Sequence, residues 1–256
     1  MKQLAAFTKK EFMEMFRTGK IYILLIVFAV FGIMNPAIAK LTPWLYEMLS
    51  ASLKEQGITI GNIAVTAMTS WEQYYKNMSM EFIVFAVMFC GIFTTEYQKG
   101  TLVNMLTKGL SRWKVIAAKS IALLIGWSMC YWLCFGITFG YTAYFWDNSI
   151  AAHFVFAAVS SYLFGIWLIS LILLCSAFLS SGPAVLLTTG AVYTAAYLLS
   201  MVPTISPYLP TELTSGLKLL TGTAMVPDYT RALAVTVVLI ALAGTVTVVG
   251  FNKKKI

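Results

Sequence analysis

Residues 82–127 read FIVFAVMFCGIFTTEYQKGTLVNMLTKGLSRWKVIAAKSIALLIGW. Two apolar runs, FIVFAVMFCGIF and VIAAKSIALLIGW, enclose a polar segment. Between Glu96 and Lys114 that segment carries four bases, Lys99, Lys108, Arg112 and Lys114, against the single acid Glu96. Apolar runs flanking a short basic connection are the pattern of two membrane spans joined on the cytoplasmic side, where Lys and Arg collect.

The rest of the 256-residue chain repeats that pattern. It is 59% hydrophobic and 11% charged, whereas soluble domains carry about 25% charged residues. So little polar surface excludes a water-soluble globule. The net charge of +8 does not point to nucleic acid, because the bases stand at the ends of apolar runs and form no polar module. A span needs about 20 mostly apolar residues, and stretches 21–39, 78–95, 120–146, 151–179, 183–202 and 232–251 qualify. The first is too long for a signal-peptide core and is followed by KLTPWLYE, with no small-residue cleavage site.

Six spans put both termini on one side. That side receives thirteen bases: Lys2, Lys9, Lys10, Arg17, Lys20, Lys99, Lys108, Arg112, Lys114, Lys119, Lys253, Lys254 and Lys255. The other receives five: Lys40, Lys54, Lys76, Lys218 and Arg231. The imbalance predicts cytoplasmic termini in the cytoplasmic membrane. Ahead of the first span, residues 2–18 form an amphipathic helix. Leu4, Phe7, Phe12, Met15 and Phe16 share one side; Lys2, Lys9, Lys10, Glu14 and Arg17 take most of the other. Glu11 is a misfit near the apolar edge. The pattern predicts a helix lying in the membrane interface, its bases meeting anionic headgroups.

Residues 40–77 read as an outer loop with two short amphipathic helices, Pro43 standing near a helix start. Trp44, Tyr46, Trp71, Tyr74 and Tyr75 suit the headgroup level. Residues 203–230 carry four prolines and remain moderately apolar, which predicts short helices dipping into the outer membrane face. Ser180-Ser181-Gly182-Pro183 is a tight turn.

The chemistry of an enzyme is missing from the sequence. It holds no G-x-x-x-x-G-K-[ST] phosphate loop. Its one histidine, His153, falls at the outer end of the fourth span and suits the interface. Cys130 and Cys134 are one helical turn apart, a spacing that suits metal. With no His, Asp or Glu nearby in sequence, they read as packing residues. Lys119 falls at the cytoplasmic end of the third span and Glu81 near the outer end of the second, so the span centres read as free of ionisable groups. Ion-coupled transporters keep such a group inside the bundle, so the energy for transport is expected from elsewhere. A membrane enzyme would need polar groups converging at depth. A channel or a non-transporting accessory or sensor protein is the remaining alternative.

On a helical wheel over 100–108, Leu102, Val103, Met105 and Leu106 fall together, opposite Thr101, Asn104, Thr107 and Lys108. Gly109 supplies a stop, and Ser111 is placed to cap the third span. A two-turn helix is marginal alone. It must lean on the bundle or on another protein, and the wheel does not say which.

These residues carry a resemblance. Glu96 after a span, Gly100-Thr101-Leu102, Leu106-Thr107, Ser111-Arg112 and Lys119 resemble the E…GTL…LLT…SR…K signature of type-2 (type V exporter) ATP-binding cassette permeases. One departure is Gly109-Leu110, where that family often has proline. The interfacial helix, six spans, long first outer loop and proline-rich dip match the family layout. The resemblance implies an all-α membrane protein of six transmembrane helices. It has an N-terminal interfacial helix (2–18, with Phe7, Lys9, Lys10, Phe12, Phe16 and Arg17 at the membrane) and a coupling helix between spans two and three. Short re-entrant helices precede span six. Gly100 to Lys108 would dock on a separate cytoplasmic ATPase subunit, through Gly100, Thr101, Leu102, Met105, Leu106 and Lys108, with Glu96 and Arg112 as flanking anchors. ATP and Mg would be bound by that partner, and no cofactor by this chain. A second permease chain, identical or similar, would complete the transporter. The family mostly exports; the cargo is not legible.

Overall fold

A computed structural model describes residues 2–54, 65–107, 109 and 111–253, with the backbone alone for 49–54, 103, 104 and 106. Every regular element among them is helical: α1 (Lys2–Arg17), α2 (Lys20–Lys54), α3 (Ala67–Phe89), α4 (Thr94–Gln98), α5 (Thr101–Thr107), α6 (Arg112–Phe145), α7 (Phe154–Phe178), α8 (Gly182–Leu199), α9 (Gly216–Leu220) and α10 (Thr230–Lys253). Six stretches are long and apolar enough to cross a bilayer: Lys20–Met48, Ala67–Gln98, Arg112–Phe145, Phe154–Phe178, Gly182–Leu199 and Val226–Lys253. The protein is a six-span, multi-pass membrane protein. The face that holds both termini is termed the near face.

The expected outer loop 40–77 is mostly helix. α2 runs on through Lys54 with Pro36 and Pro43 inside it, about 52 Å at 1.5 Å per residue. Pro43 therefore does not open a new helix. Proline within a helix removes the hydrogen bond to the carbonyl four residues earlier. At Pro36 that carbonyl belongs to Gly32, and the Thr138 hydroxyl of α6 donates to it at 3.1 Å. Residues 55–64 of the expected loop lie outside the described residues.

α3 begins at Ala67, eleven residues before the predicted 78. Its buried positions, Ala67, Ser70, Trp71, Tyr74, Met78, Glu81, Phe82, Phe85 and Phe89, follow one helical stripe. Trp71 packs its ring on Phe135 and Phe154, and its indole N–H donates to Asn148 at 3.1 Å. With the helix starting earlier, Glu81 lies in the interior of the span and not near its outer end. The expectation that span centres lack ionisable groups is thereby overturned.

α7 forms the centre. It is apolar on all sides, and Phe164, Leu168, Ile169 and Ile172 are buried along it, as a helix surrounded by others requires. α8 and α10 are peripheral and leave broad apolar faces outward, Leu187, Leu198, Val238 and Leu242 among them, where lipid is the natural solvent. The segment 203–230 is a chain of helical turns, Ser206–Tyr208, Pro210–Thr214, α9 and Val226–Tyr229. Leu213, Leu219, Leu220 and Tyr229 bury it against the bundle. Its backbone is paired across elements: Ser161 donates to the Leu213 carbonyl at 3.2 Å, and the Ala152 N–H to Leu220 at 3.1 Å. Irregular backbone buried against a bundle requires protein partners of this kind.

Candidate functional site

The connection between α3 and α6 is built from two short helices separated by glycine. α4 holds Glu96. Gly100 follows with φ +65°, α5 runs Thr101–Thr107, and Gly109 has φ +87°. Both glycines sit in the left-handed region, which costs other residues roughly 1–2 kcal/mol. The chain thus turns sharply at each end of α5. Gly109 ends the helix, as its sequence position suggests. Ser111 occupies the cap position of α6, but its hydroxyl makes no capping bond.

The structure decides the question the wheel left open. Leu102 is fully buried and Met105 packs on the core, so this side of α5 leans on the bundle. Thr101 and Thr107 are exposed, with Gln98, Lys99 and Gly109 beside them. Lys108 and the side chain of Leu106 lie outside the described residues.

Glu96, expected as a polar anchor flanking α5, is buried. It is 6% exposed and stands in a cluster with Glu11 and Glu14 of α1 and Lys119 of α6. The Lys119 ammonium, 2% exposed, lies 2.9 Å from Glu11 Oε2 and 3.0 Å from Glu96 Oε2. Lys10 reaches Glu96 Oε1 at 2.7 Å, Glu14 Oε2 at 2.8 Å and Glu11 Oε1 at 2.9 Å. Beneath Lys119 lies the Phe93 ring, 5.5 Å from the ammonium. Burial alone would lower the Lys10 ammonium, but hydrogen bonds to Glu14 and Glu96 outweigh it and hold the group above its ordinary range. Glu14 is also partly desolvated, yet Lys10 draws its carboxyl below the ordinary value.

The carboxylate oxygens of Glu11, Glu14 and Glu96 lie within 4.8 Å of one another, a spacing that suits a cation. The two lysine ammoniums already supply positive charge at that point, and three acids against two bases leave one negative charge. The arrangement ties three separate elements, α1, α4 and α6, by charge-assisted bonds.

α1 turns the seam Leu4, Phe7, Glu11, Met15 toward α6 and α2. Phe7, Glu11 and Met15 are buried, Phe12 and Phe16 half-buried, and Lys9 and Arg17 exposed. The misfit Glu11 thus points inward because Lys119 waits there. The signal is present twice in the sequence, as an acid on an apolar face and a lysine inside VIAAKSIALLIGW. Their pairing, 108 residues apart in sequence, is not. Arg112 donates to the carbonyls of Phe251 at 2.7 Å and Asn252 at 3.0 Å, where a cation suits the end of α10. Lys114 donates to Gln3 at 2.7 Å. The near face is therefore one fastened surface, made from α1, α4, α5 and the ends of α6 and α10.

A family model described as ABC-2 family transporter protein matches residues 5–255. No curated protein matches the chain significantly.

Proposed function

The chain belongs to the ABC-2 family of transporter proteins, a membrane-spanning permease subunit of an ABC transporter, and from that premise we propose how it works. It is moved by a separate ATPase subunit that binds ATP and Mg and grips α5. The near face is the cytoplasmic side of the cytoplasmic membrane, with both termini there, and α1 rests in the membrane interface on Phe12, Phe16, Lys9 and Arg17. Two permease chains form the complete path, and cargo leaves the cell.

One observation carries this reading. α5 is held by its buried Leu102 face, and its Thr101 and Thr107 are exposed to solvent. A short helix braced by a buried face, with exposed residues on the opposite one, suits a docking element. Force applied there passes through Glu96 to Lys119 on α6 and to Lys10 and Glu11 on α1. ATP closure of two ATPase subunits would then swing α3 and α6 together.

The test is co-reconstitution with a candidate ABC ATPase subunit, with cysteines replacing Thr101 and Thr107. Both are expected to cross-link to the ATPase, and hydrolysis is expected to depend on the permease. Full transport by the permease alone would overturn the reading, and so would the absence of any cross-link in an active complex.

A further inference from the structure

Glu81 is fully buried within α3, and the transport scheme above gives it no task. It sits on a polar seam between α2, α3 and α6. At the far end, Ser70 and Thr142 share a hydrogen bond of 2.7 Å. About two turns deeper along α3, Asn77 donates to Asn35 Oδ1 at 2.8 Å, and Asn35 donates to Thr138 at 3.2 Å. One turn further, the Cys134 thiol donates to Glu81 Oε1 at 3.1 Å. α3 and α6 run antiparallel, so 70, 77 and 81 meet 142, 138 and 134 in order. Hydroxyls and amides match one another along this line. The carboxyl ends it with Oε2 lacking a hydrogen-bond partner among the described residues.

The titratable groups within reach of Glu81 are Tyr74 on its own helix and Cys130, Tyr131 and Cys134 on α6. None of these groups can carry a positive charge, and no lysine, arginine or histidine joins them among the described residues. α2 contributes the Asn35 amide, and α7 the Ala158 carbonyl that accepts the Tyr131 hydroxyl at 2.6 Å. Lys119 stands about four turns away along α6 and is committed to Glu11 and Glu96. A carboxylate here would be an uncompensated buried charge, which proteins avoid by pairing it or neutralising it.

We propose that Glu81 is a proton-binding site inside the bundle, loaded while α3 and α6 are packed as described. The ligand is a single proton, held on the carboxyl beside the Cys134 thiol. The site depends on the bundle interior alone, whether or not an ATPase drives the protein, so its failure leaves the transporter reading standing.

Infrared spectroscopy of the permease reconstituted in phosphatidylcholine and phosphatidylglycerol vesicles at about pH 7 tests it. The wild type is expected to show a carboxylic-acid carbonyl band that shifts in heavy water. Glu81→Gln, which keeps size and an acceptor oxygen for Cys134, is expected to lose that band. Cys134→Ala leaves the acid in place without its thiol donor and is expected to move the band to higher frequency, which covers the case in which Glu81→Gln fails to fold. A wild-type spectrum with carboxylate bands only overturns the proposal, as does an acid band that neither substitution changes.

Discussion

Glu96 and Glu81 stand at two levels of the same α3–α4 stretch, both nearly lost to solvent. Glu96 meets two lysines; among the described residues Glu81 meets a thiol and no base. What separates them is supply. Near the face, α1 folds back across the bundle and delivers Lys10 and Glu11 to the level where Lys119 emerges. Deeper in, each facing helix offers only neutral groups. Burial thus has two chemical outcomes in one protein, an ion cluster that fastens elements together and a carboxyl that must be neutral. A buried charge survives where a second part of the chain can reach it.

The largest effect should come from opening the cluster. Lys119→Met leaves Glu11 and Glu96 buried with only Lys10 between them. It should cost about 3–5 kcal/mol of stability, read as a lowered midpoint of thermal unfolding in detergent. A loss below about 1 kcal/mol would mean that the cluster is solvated, and the contrast with Glu81 would disappear. Next comes the direct comparison. Glu96→Gln should cost about 2–3 kcal/mol, since it weakens charge-assisted bonds to two lysines. Glu81→Gln should cost less than about 1 kcal/mol, because an amide replaces an acid that is already neutral. Equal losses in the two variants would break the distinction.

Gly100→Ala forces a side chain into the left-handed region and should cost about 1 kcal/mol. It tilts α5 without touching either carboxylate, so the ATPase response should fall more than stability does. The smallest effect concerns Glu14, whose carboxyl is held below its ordinary value by Lys10 although burial opposes it. A depressed acid contributes stability that is present above its unfolded value, near 4.5, and is lost as pH falls through the lower folded value. Glu14→Gln should therefore flatten the unfolding midpoint below about pH 4.5 by a few tenths of a kcal/mol, the group being half exposed. Lys10 shifts the other way, and its contribution should persist until strongly alkaline pH.

The spans are legible because hydropathy reports each one locally. The start of α3 is not, since the run WEQYYKN looks like a loop until Trp71 and Tyr74 are seen to pack on α6 and α7. Its helical stripe is in the sequence, but the hydrophobic window outweighs it and pushes Glu81 toward the end of the span. Pro43 opens a helix only under a rule for soluble helices. A long membrane helix tolerates proline where another helix satisfies the freed carbonyl, as Thr138 does at Pro36. Glu96 and Lys119 stand out by motif, but their burial depends on α1, and no local pattern reports a partner that arrives from the opposite end of the polar connection. Glu11 announces itself only as an exception to an amphipathic wheel.

The bond from Thr138 to Gly32 has a mechanical meaning. With no amide hydrogen at Pro36, α2 is jointed at that level, and a hydroxyl on its neighbour is the pin through the joint. Any bending of α2 there must first draw the pin, so the stiffness of one membrane helix is set by the position of another.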